Sequence, residues 1–216
     1  REKDLAMAAK KAVRPEDWIN EFCEITRFRL KGLVLEPKRL NLSRMLEQLN
    51  SEFLPLYGPK NLQAVLNVPP DVEIVADAGK LERVFDNLLR NAVSYSYPNS
   101  EILVRLYQKK DKYRVQIQNR GDTIPPHKLA HIFEQFYRLG SARATEDGGA
   151  GLGLAIAKEI VELHEGQITV KSENNLIEFV VELPAELRLQ PSLITTASYN
   201  AGTIYSTGRQ QPVRKS

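Results

Sequence analysis

Apolar residues recur every three or four positions between Asp77 and Ser96. Leu81, Val84, Phe85, Leu88, Leu89, Ala92 and Val93 occupy i, i+3, i+4, i+7, i+8, i+11 and i+12. At about 100° per residue these fall on one face, which predicts a core-facing helix with Asp77 as its N-cap. Such a helix has no need of Asn87 and Asn91, four apart, with Tyr95 four further on. All three line one edge of the apolar stripe. Asn is a poor helix former because its amide competes for the backbone, at a cost of a few tenths of a kcal/mol, on the order of the propensity spread. For this helix taken by itself, a polar flank is a sufficient explanation.

The rest of the chain divides by the same periodicities. An apolar stripe from Ala6 to Leu30, interrupted by Pro15, predicts helix without an obvious partner inside its own segment. Gly32 to Pro37 ends it. Leu40–Phe53 predicts a second helix, capped by Asn41 or Ser43. Leu62–Val68 and Val72–Ala76 predict short strands on either side of Pro69-Pro70. Glu101–Tyr107 and Tyr113–Gln118 alternate as a hairpin around Lys109-Lys110-Asp111, and Pro125-Pro126 starts a short helix reaching Ile132. A polar stretch to Gly148 predicts a loop. Gly149–His164 predicts a helix, and Gln167–Lys171 and Leu176–Leu183 predict strands ended by Pro184. Beyond it, 190–216 is rich in Ser, Thr, Gly and Gln, the composition of a disordered tail.

Composition removes several classes of function. Of 216 residues 42% are hydrophobic, enough for a real core, and no apolar run approaches the ~20 residues of a membrane span. A net charge of +3 with interspersed signs gives no basic stripe for nucleic acid. The single Cys23 excludes an internal disulfide and a multi-cysteine metal site. His127 and His131 are four apart, but no third ligand accompanies them.

Two further stretches carry possible chemistry. In Gly148–Ile160, GGAGLGLAIAKEI, Gly149, Gly151 and Gly153 stand at the start of an amphipathic helix, where bare backbone N–H groups and the helix end favour phosphate. A flexible turn before a helix explains the same glycines. Leu154-Ala155 stands where a Walker loop needs Lys-Ser/Thr, and a polar loop rather than a buried strand precedes the motif, against a dinucleotide fingerprint. In Asn119–Pro125, NRGDTIP, a strand ends in an amide able to meet a planar base edge. Gly121 then turns the chain, and Ile124 begins an apolar floor. An Asn-Gly-type turn before proline is the plainer alternative.

Taken in order, DNLLRNAVSYS, NRGDTIP, FEQFYR and GGAGLGL resemble the Asn box, first Gly box, Phe box and second Gly box of sensor histidine kinases. That family shares its ATP-binding fold with gyrase, Hsp90 and MutL. EITRFRL, YGPKNLQAV and FYRLGSARATEDGGAGLGLAIAKEIVELH resemble, more narrowly, the vancomycin-resistance sensor kinases of the VanS type. The resemblance implies an α+β, two-layer α/β sandwich of Bergerat type, a mixed sheet covered on one face by helices. It divides the chain into part of a dimerisation helix (1–33), an ATP-binding catalytic domain (34–185) and a flexible tail (186–216).

By position in those motifs, the resemblance implies Asn91 and Asn87 as ligands of Mg²⁺ and neighbours of the phosphates. Asn87 and Arg138 take part in catalysis, and Tyr95 lies against the nucleotide. Asn119 reads adenine, where most members have Asp. Gly121, Ile124, Phe136, Arg143, Gly149, Gly151, Leu152, Gly153 and Leu154 complete the ATP site, with 139–148 as its lid. Ser94 stands where many members carry a phosphate-binding Lys, Thr123 replaces the second Gly of the first box, and Ile177 replaces a frequent Thr. The implied partners are ATP, the protein's own dimerisation domain in a homodimer, and a response regulator, with the full-length protein in the plasma membrane and this region cytoplasmic. As a fragment the chain is expected to be soluble. None of the three His has the acid and the Thr/Ser-Pro that follow a phosphoacceptor, so the acceptor is expected on a segment outside this sequence. Two other functions compete: a nucleotide-binding regulator without catalysis, and a gyrase- or Hsp90-like ATPase. The latter needs a water-activating Glu where Asn87 stands.

Overall fold

The computed structural model describes residues 34–139 and 151–185. The expected helix before Gly32, the tail beyond 185, Arg143 and Gly149 lie outside the described residues. The first element is one the hydrophobic pattern does not announce. Strand β1 (Lys38–Asn41) is short and half exposed, and forms because β3 (Glu73–Ala76) offers it an antiparallel edge, Leu40 opposite Ile74. The strand displaces the expected helix start. Helix α1 runs Leu42–Tyr57, with the Asn41 side chain accepting from Arg44 N–H at 2.9 Å as N-cap, and continues past Phe53 through Pro55.

Strand β2 (Gln63–Asn67) lies close in sequence to β3 but pairs elsewhere. It runs parallel to β4 (Glu101–Lys109) at one edge of a five-stranded sheet; with β5 at Lys112–Arg120, β6 at Gln167–Glu173 and β7 at Leu176–Pro184, the order is β2-β4-β5-β7-β6. The chain bends between β2 and β3 at Pro69-Pro70, with Asp71 in the left-handed region (φ 52°). Helix α2 (Ala78–Tyr95) follows β3 and is capped by Asp77 as its sequence predicts. β4 and β5 (Lys112–Arg120) form the expected hairpin, and β6 (Gln167–Glu173) and β7 (Leu176–Pro184) form a second one.

Two helices differ from expectation. Helix α3 is confined to Pro126–Leu129. His131 N–H then bonds to Lys128 C=O, a tight i→i+3 turn that brings Ile132 into the core instead of continuing the helix. Helix α4 spans Gly153–Leu163, starting later than the glycine run suggests. Gly151 has φ +76°, incompatible with helix, and buried Leu152 is the N-cap rather than a helical residue.

Alternation along the strands sends Ile102, Val104, Leu106, Val115, Ile117, Phe179 and Val181 to one face. There they meet Leu46, Leu49 and Phe53 of α1, Leu81, Phe85 and Leu88 of α2, and Ile156 and Ile160 of α4 in a single cluster. The opposite face is polar, carrying Arg114 against Glu182 and Gln116 against Glu178. The fold is the expected α+β two-layer sandwich, a mixed sheet covered by helices on one side.

Candidate nucleotide site

Helices α2 and α4 lie antiparallel on the sheet, joined at two places. At one, Asn87 Nδ2 donates to Gly153 C=O at 3.0 Å. A Cβ at 153 would stand 3.0 Å from Asn87 Oδ1, so a larger residue there would push the amide aside by a few tenths of an ångström. One turn along, Asn91 Nδ2 donates to the Asn87 carbonyl at 2.8 Å. That leaves Oδ1 as the end of the Asn91 amide able to accept or to ligate. Both amides are half-buried. Neither is a decorative flank: one fixes the partner helix and the other is held by the first.

At the second join, Asp77 N–H donates to His164 Nε2 at 3.0 Å, and His164 Nδ1 donates to Ile160 C=O at 2.8 Å. The imidazole is therefore neutral with its proton on Nδ1. Burial pushes its pKa down, and Lys80 adds to that, while the bond to Ile160 and the nearby Asp77 charge oppose it. Burial also raises the Asp77 carboxyl. Bonds from the Lys80 ammonium at 2.7 Å, Glu36 N–H and Lys80 N–H outweigh it and hold the carboxyl below its usual range. The sequence offered little sign of this join, beyond a histidine just after the last apolar residue of a helix.

The C-terminal end of α2 is held by a residue from another segment. Lys60 Nζ donates to the carbonyls of Val93 (2.9 Å), Ser94 (2.7 Å) and Ser96 (3.2 Å), acceptors that a helix end leaves without partners. Tyr95, 45% exposed, projects from this end, and its carbonyl lies so close to Gly121 that a Cβ there would collide with it. Tyr97 N–H donates to Arg120 C=O at 2.8 Å, and Tyr97 Oη to Asp122 at 2.7 Å. Gly121 N–H bonds to Asn175 C=O, and Ile124 N–H to Ser172 Oγ at 2.8 Å. Thr123, a departure from the motif, is put to use: its hydroxyl accepts from Asn175 N–H at 2.9 Å in the β6–β7 turn. Asn119, immediately before, is buried on the inner face of β5.

The aromatic segment closes on the glycines. Phe136 N–H donates to Gly151 C=O at 3.0 Å, and a Cβ at 151 would stand 3.1 Å from Tyr137 C=O and 3.2 Å from Arg138 Cγ. Phe136 itself has φ 64° and is 54% exposed, while Leu154 packs half-buried against the core. Of the expected residues, the structure brings Asn87, Asn91 and Gly153 together, Gly151 to Phe136 and Arg138, and Tyr95 to Gly121 beside Asn119. Among the described residues there is no cluster of three His, Cys, Asp or Glu able to hold a metal. A cation here would take amide oxygen from the protein and its other ligands from phosphate and water, the habit of Mg²⁺. The donor set fits that ion.

Comparison with known proteins follows the same lines. Residues 76–187 match the family described as histidine kinase-, DNA gyrase B-, and HSP90-like ATPase. The chain is 47% identical over 184 residues to sensor protein VanSC of Enterococcus gallinarum, covering 85% of this chain and 51% of that protein. It is 45% identical to sensor protein VanS of Enterococcus faecium over 183 residues, 85% of this chain and 47% of that one. It spans about half the length of these relatives. The catalytic domain of histidine kinase ThkA superposes with a TM-score of 0.63 at 25% identity, covering 70% of this chain and 97% of that domain. ThkA in complex with response regulator TrrA superposes at 0.66, also at 25% identity, over 80% of this chain and 47% of that one. Among the described residues no helix is long and apolar enough to cross a membrane. A shared ATP-binding motif order, the same layered fold and this level of identity lead to one conclusion: the chain belongs to the histidine kinase-, DNA gyrase B- and HSP90-like ATPase family.

Proposed function

We propose that this chain is the Mg-ATP-binding catalytic region of a two-component sensor histidine kinase acting in glycopeptide resistance. In this reading 34–185 is the catalytic domain, 1–33 contributes to a dimerisation helix, and 186–216 is a tail. The observation that carries it is the bond from Asn87 to Gly153, which sets two nucleotide motifs 66 residues apart against each other. Asn91 offers its remaining oxygen to the metal, and Asn87 holds the start of α4 beside the phosphates. Gly151 and Gly153, with Gly149, let backbone N–H groups approach those phosphates closely. Leu152 and Leu154 seat the glycines on the core.

Tyr95, Gly121, Ile124 and Phe136 enclose the base, and Asn119 meets its edge. Asn91 would hold a magnesium ion that would offset charge on the triphosphate, and Arg138 and Arg143 add positive charge at the γ-phosphate. With Ser94 in place of a lysine, more of that charge falls on Arg138. The acceptor is a histidine nitrogen on the dimerisation segment, which bonds to γ-phosphorus as ADP leaves. The full-length protein is a homodimer in the plasma membrane, handing the phosphoryl group to a response regulator. Two relatives are named as sensor proteins, VanSC and VanS, and histidine kinase ThkA is known in complex with response regulator TrrA.

A neutral amide at position 87, with its donor already committed to Gly153, is no general base for water, which disfavours a hydrolytic ATPase. The test mixes the purified chain with a separate segment bearing the acceptor histidine and γ-labelled ATP. Acid-labile label on that segment is the expected result. ATP binding without label would favour a non-catalytic regulator instead.

A further inference from the structure

On the inner face of β5, Val115 and Ile117 are followed by Asn119, which is 2% exposed and has Ile102 and Ile177 as its neighbours across the sheet. Its Nδ2 is buried without a hydrogen-bond partner. The other such atom among the described residues, Arg114 Nε, belongs to a guanidinium already paired with Glu182 through another nitrogen. Asn119 has no such compensation. A donor stranded in an apolar wall is costly until something accepts from it. Two residues on lies Gly121, where an added Cβ would meet the Tyr95 carbonyl and Ile177 Cδ1. An acceptor carried by a ligand would satisfy that donor.

We infer that Asn119 makes this site permissive between purines, so that it binds GTP as well as ATP. The inference rests on the nucleotide reading proposed above. An amide presents a donor and an acceptor side by side. Toward adenine, Oδ1 accepts from N6–H while Nδ2 donates to N1. After a half-turn about Cβ–Cγ, Nδ2 donates to O6 of guanine and Oδ1 accepts from its N1–H. Each pairing uses both ends of the amide and leaves neither orphaned. A carboxylate at this position only accepts: it suits N6–H but sets negative charge against O6. The side chain at 119 is thus a specificity determinant, and its neutrality is what admits the second base.

Calorimetric titration of the whole chain with ATP and with GTP, both in Mg²⁺, tests this directly. The expected result is dissociation constants within about tenfold of each other, since two bonds are made to either base. Asn119→Asp is expected to raise the preference for ATP over GTP by about tenfold or more. A wild-type preference for ATP beyond tenfold overturns the inference while leaving the ATP site intact. So does an unchanged ratio in Asn119→Asp shown by circular dichroism to be folded. Binding of neither nucleotide overturns the site itself. Should the variant fail to fold, the wild-type ratio decides alone.

Discussion

The two joins between α2 and α4 are built from opposite materials. Where Asp77 meets His164, everything is buried, an ionised carboxylate sits beside a neutral imidazole, and each ring nitrogen is used. Where Asn87 meets Gly153, the groups are half-buried, uncharged and only partly committed. The first join has nothing left to offer a ligand. The second keeps amide oxygens and open backbone within reach of one. The difference suggests a division of labour, in which the sealed end sets the register of the helix pair and the open end uses that register to bind.

That division can be broken from either side. The largest effect is expected for His164→Ala, which strands the Asp77 N–H and opens a cavity at a fully packed position. A loss of about 3 kcal/mol in urea denaturation is expected. ATP affinity of the folded fraction should stay within about threefold, less than one such contact is worth. If affinity fell in step with stability, the two ends would be one device. Asn87→Ala should reverse the pattern, costing only about 1 kcal/mol of stability, the net worth of one hydrogen bond, with ATP bound at least about tenfold more weakly.

The sealed end should also respond to acid. His164 has its pKa depressed below the ordinary 6.5, so the unfolded chain binds the proton more readily. Its contribution is therefore complete above 6.5 and falls as pH drops below that value. Asp77, depressed below 3.8, adds a second loss only under stronger acid. Urea midpoints measured between pH 8 and pH 5 should decline in the wild type and flatten in His164→Gln. The smallest change in stability is expected from Asn91→Ala, within about 0.5 kcal/mol, since Ala favours helix and the lost bond is local. Titration with Mg-ATP should nonetheless show clear weakening.

Much of this was legible in the sequence. The α2 stripe, its Asp77 cap and the β4–β5 hairpin follow from local periodicity, and the four motifs named the elements that converge. What was not legible depends on distant pairing. The polar Lys38–Asn41 is a strand only because β3 lies beside it, and β2 and β3, which read as neighbours, go to different sheets. Leu152 keeps helical spacing with Ile156, so the start of α4 looked earlier than Gly151 allows. His164 and Lys60 grip backbone 87 and 33–36 residues away, and nothing in their local context signals it. The roles expected of Asn87 and Asn91 rested on motif position. The geometry adds which end of each amide is already taken.

The antiparallel pairing of α2 and α4 also bears on synthesis. Contacts spanning 66 and 87 residues are slow to close, because the intervening chain must surrender its freedom first. A nascent polypeptide that has exposed α2 but not yet Gly153 holds half of a cleft. Stalled ribosomes displaying such chains should fail to be retained on immobilised ATP, and exposure through Pro184, which adds β6 and β7 to the sheet, should restore retention. Competence to bind would then arrive late, when most of the domain has already left the exit tunnel.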